Sequence, residues 1–183
     1  MSAPVVLPSR ARIAASFGLK SDRYAENATF QIELLNRVAR LVGTAEPTHE
    51  LWADWGCGIG LLERIIVRQG RCAPYLVGID LARRAAVRAA ASYGLVAVAD
   101  IDRNPFKPRR FDGVVLASVL QWVGRPALVL KGVREVLRDG GRAVLSVFLK
   151  GSYIEVSAAR KALGLEPIGW YPSLPELTHL IER

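Results

Sequence analysis

An acidic residue followed by glycines at every second position, Asp54-Trp55-Gly56-Cys57-Gly58-Ile59-Gly60, is the stretch of this chain best suited to chemistry by residue type and spacing. Glycines remove side chains where backbone must come close to a ligand. A loop that opens a helix leaves its first N–H groups without intrahelical partners, so they can face a carboxylate or another polar group. The dinucleotide fingerprint, Gly-x-Gly-x-x-Gly, would require glycine at 61, where this chain has Leu61. An acid followed by glycines at 56, 58 and 60 fits a nucleoside carrying an amino-acid tail better. The plain alternative is a tight strand-to-helix turn. The loop's place after the first expected strand, and Asp80 as a partner, favour the ligand.

Asp80 closes the next apolar run, with Leu81 after it. A carboxylate there can accept from both hydroxyls of a ribose. Asp in that position also suits a helix N-cap, and the two roles can coexist. Asp100 follows the third expected strand. It could accept from an adenine amino group while the Ile101 amide meets a ring nitrogen, or it could be a solvated acid beside Asp102. After the fourth comes Ala117-Ser118-Val119-Leu120-Gln121-Trp122, expected to floor the site. Gln121 is its notable polar group, and a tryptophan such as Trp122 is more often core than contact.

These residues need elements that bring strand ends together. Apolar residues at helical spacing predict helices over residues 10–19 and 30–42, before any strand. Strands are then expected over 51–53, 75–79, 95–99, 111–120 and 142–149. Helices are expected between and after them, over 60–69, 83–92, 126–138, 153–163 and 174–181. Asp139-Gly140-Gly141 should end the helix that precedes the last strand. Alternating strand and helix with near-continuous apolar strands implies a mostly parallel, doubly wound α/β sheet covered on both faces. Ligands bind such sheets beyond the carboxyl ends of the strands, where strand order reverses. One structural domain is expected, with helices of residues 1–48 covering a core of residues 49–183.

The chain has 183 residues and a net charge of +8, which favours acidic partners over neutral ones, although a solvated basic face would give the same sum. No apolar run approaches the roughly 18 residues of a membrane span. Val5-Val6-Leu7 is too short for a secretory signal, and an ordinary helix start is preferred over a transit peptide for the basic amino terminus. Cys57 and Cys72 should lie roughly 20 Å apart, at opposite ends of one helix, as reduced thiols, in keeping with a cytoplasmic setting. His49 and His179 fit no metal-ligand spacing, so no metal is expected.

Taken together, these residues resemble the class I methyltransferases that use S-adenosylmethionine. Within that group the chain is similar to the malonyl-acyl-carrier-protein O-methyltransferases of biotin synthesis. The opening helix Ile13-Ala14-Ala15-Ser16-Phe17-Gly18, the spacing of Tyr24 and Gln31, the pair Gln121-Trp122 and the stretch Lys150-Gly151-Ser152-Tyr153-Ile154-Glu155 carry that likeness. The resemblance implies a Rossmann-like methyltransferase fold that binds S-adenosylmethionine. Asp54, Gly56, Cys57, Gly58 and Gly60 would hold its methionine end, Asp80 with Leu81 its ribose, and Asp100 with Ile101 its adenine. Ala117 would lie beside the cofactor, where family members commonly carry Asn. Tyr24, Gln121 and Trp122 would surround the methyl group.

The resemblance also implies a substrate, the free carboxylate of a malonyl thioester on acyl carrier protein or a small-molecule carboxylate. Arg83, Arg84, Arg88, Lys107, Arg109 and Arg110 are the candidate contacts to an acidic carrier. Methylation of RNA or of another small molecule is the rival activity. Nucleic acid is disfavoured because 117–122 holds neither an Asn-Pro-Pro run nor a cysteine. A third reading is a non-catalytic cofactor-binding half of a split enzyme. Family members continue past the position of Arg183 with about two more strands, whose absence would leave residues 143–149 as a bare apolar edge. The segment 167–175, or a second chain in a homodimer or with another partner, is expected to cover that edge.

Overall fold

The computed structural model describes residues 9–20, 29–165 and 169–182. Two helices, α1 (Arg10–Lys20) and α2 (Thr29–Val42), precede the first strand. The chain then alternates through β1 (Leu51–Trp55), α3 (Leu61–Arg68), β2 (Tyr75–Asp80), α4 (Arg83–Ala89) and β3 (Leu95–Val98). It continues with β4 (Phe111–Ala117), α5 (Pro126–Val136), β5 (Leu137–Ser146), α6 (Ile154–Ala162) and α7 (Leu174–Glu182). The five strands are all parallel, in the order β3-β2-β1-β4-β5. Strand order reverses between β1 and β4, so the carboxyl end of β1 opens at the switch point, where open α/β sheets bind ligands.

Side chains alternate across the sheet and split the core into two halves. On one face Trp52 and Val115 meet Val38, Ala39 and Val42 of α2 and Leu62, Ile65 and Ile66 of α3. On the other, Ala53, Trp55, Val114 and Leu116 meet Val129, Val133 and Val136 of α5 and Leu177 of α7. Side chains of this size contribute roughly 1.5–3 kcal/mol each when fully buried. The alternation also decides where the acid of the glycine loop points, because Asp54 shares the face of Trp52, two residues before it.

The boundary between α5 and β5 differs from the sequence expectation. The helix ends at Val136 and the strand begins at once at Leu137, so Asp139-Gly140-Gly141 interrupts a strand and terminates no helix. Phe111 pairs with Leu137, but Gly113 pairs with Arg142, and the residues between form a bulge with Gly140 at φ 76°. Asp112 accepts a hydrogen bond from Arg138 Nη1 at 2.8 Å and one from the Leu51 amide at 2.8 Å. This clamps the bulge to the start of β1.

The described part of the 167–175 segment does not run along β5. Pro172 accepts from the Lys150 amide and the Trp170 amide donates to the Gln121 carbonyl, which fastens the segment beyond the carboxyl end of the strand. Among the described residues no main-chain partner takes the outer edge of Ala143–Ser146, and none of their helices is long and apolar enough to cross a membrane.

Gly113 is the tightest point in the sheet, since a Cβ there would overlap the Trp52 indole. Gly113→Ala should lower stability by about 1–3 kcal/mol through overpacking. Urea unfolding would show this as a lower midpoint at unchanged slope, and a wild-type midpoint would contradict it.

Candidate functional site

The glycine loop is bound to the end of β2 by the protein's own hydrogen bonds. The amides of Gly56 and Cys57 both donate to the Ile79 carbonyl, at 2.7 and 3.0 Å. Gly56, Gly58 and Gly60 all adopt positive φ, which lets the chain leave β1 and enter α3 in five residues. At Gly60 a Cβ would lie 2.9 Å from Ala89 Cα, so that glycine also admits α4 against the loop.

Asp80 completes the fastening. Its Oδ2 accepts from the Gly58 amide at 2.9 Å and its Oδ1 from the Ala82 amide at 2.7 Å. The N-cap of α4 is Ala82, so Asp80 orders the glycine loop and does not cap the helix. Burial raises its pKa, and the two amide hydrogen bonds oppose that rise.

Asp54 is 4% exposed at the carboxyl end of β1, with its Oδ2 accepting from the Tyr93 hydroxyl at 2.6 Å. Burial pushes its pKa up to about 7; the Tyr93 hydrogen bond pulls it down and the charge of Asp80 adds to the rise. Burial together with Asp54 and Asp80 keeps Cys57 protonated, and both cysteines are free thiols.

One cavity spans these strand ends. Its lining takes Asp54, Gly56, Cys57, Gly58 and Ile59 after β1, Asp80 and Leu81 after β2, and Ala99, Asp100 and Ile101 after β3. Ala117, Ser118, Val119 and Trp122 after β4 and Ser146 of β5 close the far side. Helix α1 adds Arg10, Ile13 and Phe17, and α2 adds Gln31, Ile32, Leu34 and Leu35. The structure therefore gathers Asp54, Gly56, Cys57, Gly58, Asp80, Leu81, Asp100, Ile101, Ala117 and Trp122 around one space. Gly60 lies behind the loop. Gln121 is 3% exposed, donates to the Ser118 carbonyl at 2.8 Å and does not line the cavity. Tyr24 lies outside the described residues. Neither histidine lines the cavity.

Four further residues complete the site: Phe17 and Ser118 lie in stretches that the sequence marks, whereas no motif points to Arg10 or Tyr93. Arg10 reaches from α1 to the loop after β3, pairing with Asp100 at 3.3 Å and with Asp102, and donates to the Trp122 carbonyl at 2.8 Å. Asp100 is thus an ion-pair partner, and its Oδ1 also accepts from the Asp102 amide. Phe17 meets Trp122 edge-on at 5.4 Å between ring centroids, joining α1 to the far wall. Tyr93 follows α4 and shows no motif. Ser118 holds a left-handed conformation at φ 55°, a strain of about 1 kcal/mol or more, and its hydroxyl lies 3.4 Å from that of Ser146.

A family model described as methyltransferase domain matches residues 53–145. The chain is 29% identical over 167 residues to a malonyl-acyl-carrier-protein O-methyltransferase of Erwinia pyrifoliae, covering 89% of this chain and 62% of that protein. It is 30% identical over 147 residues to an 18S rRNA (guanine-N7)-methyltransferase of Bos taurus, covering 71% of this chain and 51% of that one. The chain thus spans less than two thirds of the length of these relatives. An S-adenosylmethionine-dependent methyltransferase from Thermotoga maritima shares the fold at a TM-score of 0.72 and 17% identity, over 95% of this chain and 79% of its own.

Because the folded carboxyl of Asp54 titrates near pH 7, well above its ordinary 3.8, the folded state holds an extra proton between those values. The stability this confers is complete at low pH and is lost as pH rises through about 7. Wild type should therefore lose stability relative to Asp54→Asn as pH rises from about 4 to 7, by on the order of a few kcal/mol. Urea unfolding at a series of pH values checks this, and parallel curves for the two proteins would contradict it.

Proposed function

This chain belongs to the methyltransferase-domain family, and from that premise we propose that it transfers a methyl group from S-adenosylmethionine to a carboxylate. The observation that carries the reading is the single cavity bounded by the Gly56–Gly60 loop and by acids at the ends of β1, β2 and β3. The residues fit the cofactor. A Cβ at Gly58 would meet no protein atom within 4 Å, so that lining glycine leaves its backbone open to a ligand. The buried Asp54 carboxyl suits a cationic amino-acid end. Asp80 retains lone pairs on both oxygens for ribose hydroxyls while it holds the loop. Leu81 and Ile101 offer apolar surface for a base, and Asp100, tied to Arg10, stands at that end.

S-adenosylmethionine, when bound, supplies an electrophilic methyl on a sulfonium. The chain's own residues then have a limited task. Trp122, Phe17 and Ile13 exclude water from the acceptor side, and the Ser118 and Ser146 hydroxyls are polar groups on that side. A malonyl carboxylate has a pKa near 4 and is ionised at pH 7, so it needs no general base. That agrees with a cavity lined by neither histidine. Rate enhancement would come from alignment of the acceptor with the methyl and from cancelling opposite charges in a dry site.

The carboxylate substrate, a malonyl thioester on acyl carrier protein, is supported by the similarity to the Erwinia pyrifoliae enzyme over most of this chain. Parallel topology narrows the docking surface. Arg83 and Arg84 open α4 after Leu81 and Ala82, at the cavity's end of the sheet, and both are exposed. Lys107, Arg109 and Arg110 precede β4 and so lie at the opposite end, with Arg109 also paired to Asp139 at 3.2 Å. An acidic carrier delivering its arm to the cavity would meet Arg83 and Arg84, and the 107–110 group would take no part.

Labelled methyl transfer offered malonyl-acyl-carrier-protein, a free malonyl thioester and RNA should label the carrier substrate best. Raising salt should weaken carrier binding. Label on RNA alone would transfer the assignment to nucleic acid, and turnover only after a partner chain is added would mark the chain as half of a split enzyme. Asp80→Ala should weaken cofactor affinity about a hundredfold or more, because it removes the loop's anchor and two ribose acceptors. Unchanged affinity would exclude Asp80 from the site.

A further inference from the structure

We propose that Tyr93 is a positioning residue that aims Asp54 at the amino-acid end of the bound nucleoside, a role that rests on the reading of the cavity given above. The Tyr93 side chain is 3% exposed and its amide donates to Ala89 O at 2.9 Å, which sets the residue at the end of α4. Its ring occupies space that exists because β2 carries glycine at 78. A Cβ there would lie 2.8 Å from the ring and 2.8 Å from Cys57 Sγ. From this fixed seat the hydroxyl donates to Asp54 Oδ2 at 2.6 Å.

One carboxylate oxygen is thereby held from behind. Among the described residues no protein donor reaches the other oxygen, and Asp54 lines the cavity. The ionisable groups around Asp54 are acidic or neutral: Asp80 at the end of β2, Cys57 on the loop, Tyr93 itself, and Glu63 of α3 near Tyr93. Arg10 lines the same cavity but pairs with Asp100 and Asp102, and Arg64 donates to Ser92 Oγ. A ligand ammonium is thus the natural partner of the open oxygen, and its binding favours the ionised form of Asp54. Tyr93 works in the same direction, since its hydrogen bond lowers a carboxyl that burial raises.

The test compares two ligands on the full chain by calorimetry, between about pH 5.5 and 8. S-adenosylhomocysteine carries the amino-acid tail, and methylthioadenosine shares its adenosine but lacks the tail. Affinity for S-adenosylhomocysteine should fall as pH drops through about 7, while that for methylthioadenosine stays flat. Tyr93→Phe should move the midpoint up by about one pH unit and so cut the ratio of the two affinities at pH 7 about fivefold. Asp54→Asn should abolish the pH dependence. A merely structural tyrosine would weaken both ligands together and leave the midpoint in place, which would overturn the proposal. Identical pH profiles for the two ligands on wild type would overturn it without any variant. Failure of both ligands to bind wild type would reject the nucleoside site itself, and the role of Tyr93 with it.

Discussion

The carboxyl ends of β1 and β2 are tied together by three backbone amides of one glycine-rich loop. Gly56 and Cys57 donate to Ile79 O, and Gly58 donates to Asp80 Oδ2. Most other features of the site follow from that fastening. It requires positive φ at Gly56 and Gly58 and sets Asp80 beside the loop with Ala82 as second donor, while Asp54, directed by the alternation of β1, meets the Tyr93 hydroxyl. The buried Asp54 carboxyl and the half-buried Asp80 carboxyl then lie close enough for the charge of Asp80 to raise the pKa of Asp54. Such an arrangement carries a cost in the free protein that a cationic ligand relieves. Stability and binding are therefore coupled through the same carboxyl of Asp54.

The amino-terminal helix enters the same electrostatic scheme from the opposite wall. Arg10 meets Asp100, Asp102 and the Trp122 carbonyl, while Phe17 packs on Trp122. Asp102 in turn accepts from the amides of Gly124 and Arg125, so one basic residue of α1 joins the loops that follow β3 and β4. The acids nearest Arg10 are neutralised, and those nearest the glycine loop are not. This gives the cavity two ends of different character: an ion-paired end beside Asp100, and an unneutralised acidic end beside Asp54 and Asp80.

The sheet was legible because its strands are apolar runs punctuated by glycine, proline and acids, and parallel pairing demands that pattern. The cavity was legible where local sequence carries the constraint: Asp54, the alternating glycines and Asp80 each sit at a strand end. What could not be read depends on contacts distant in sequence. Arg10 and Asp100 are ninety residues apart and Tyr93 and Asp54 thirty-nine. No periodicity encodes either pairing. Asp139-Gly140-Gly141 misled for a physical reason, since glycine serves a bulge as well as a helix stop, and the clamp by Asp112 decides between them. Gln121 was marked by its polarity beside a tryptophan, but its amide nitrogen bonds back to the turn after β4, a contact that the local pattern does not encode.

The most direct measurement is a crystal structure of the full chain with S-adenosylhomocysteine. The amino-acid tail should lie along Gly56–Gly60 with its ammonium on Asp54, the ribose hydroxyls on Asp80 and the base between Leu81 and Ile101. Ligand bound in the reverse sense, or density elsewhere on the protein with this cavity unchanged, would contradict it.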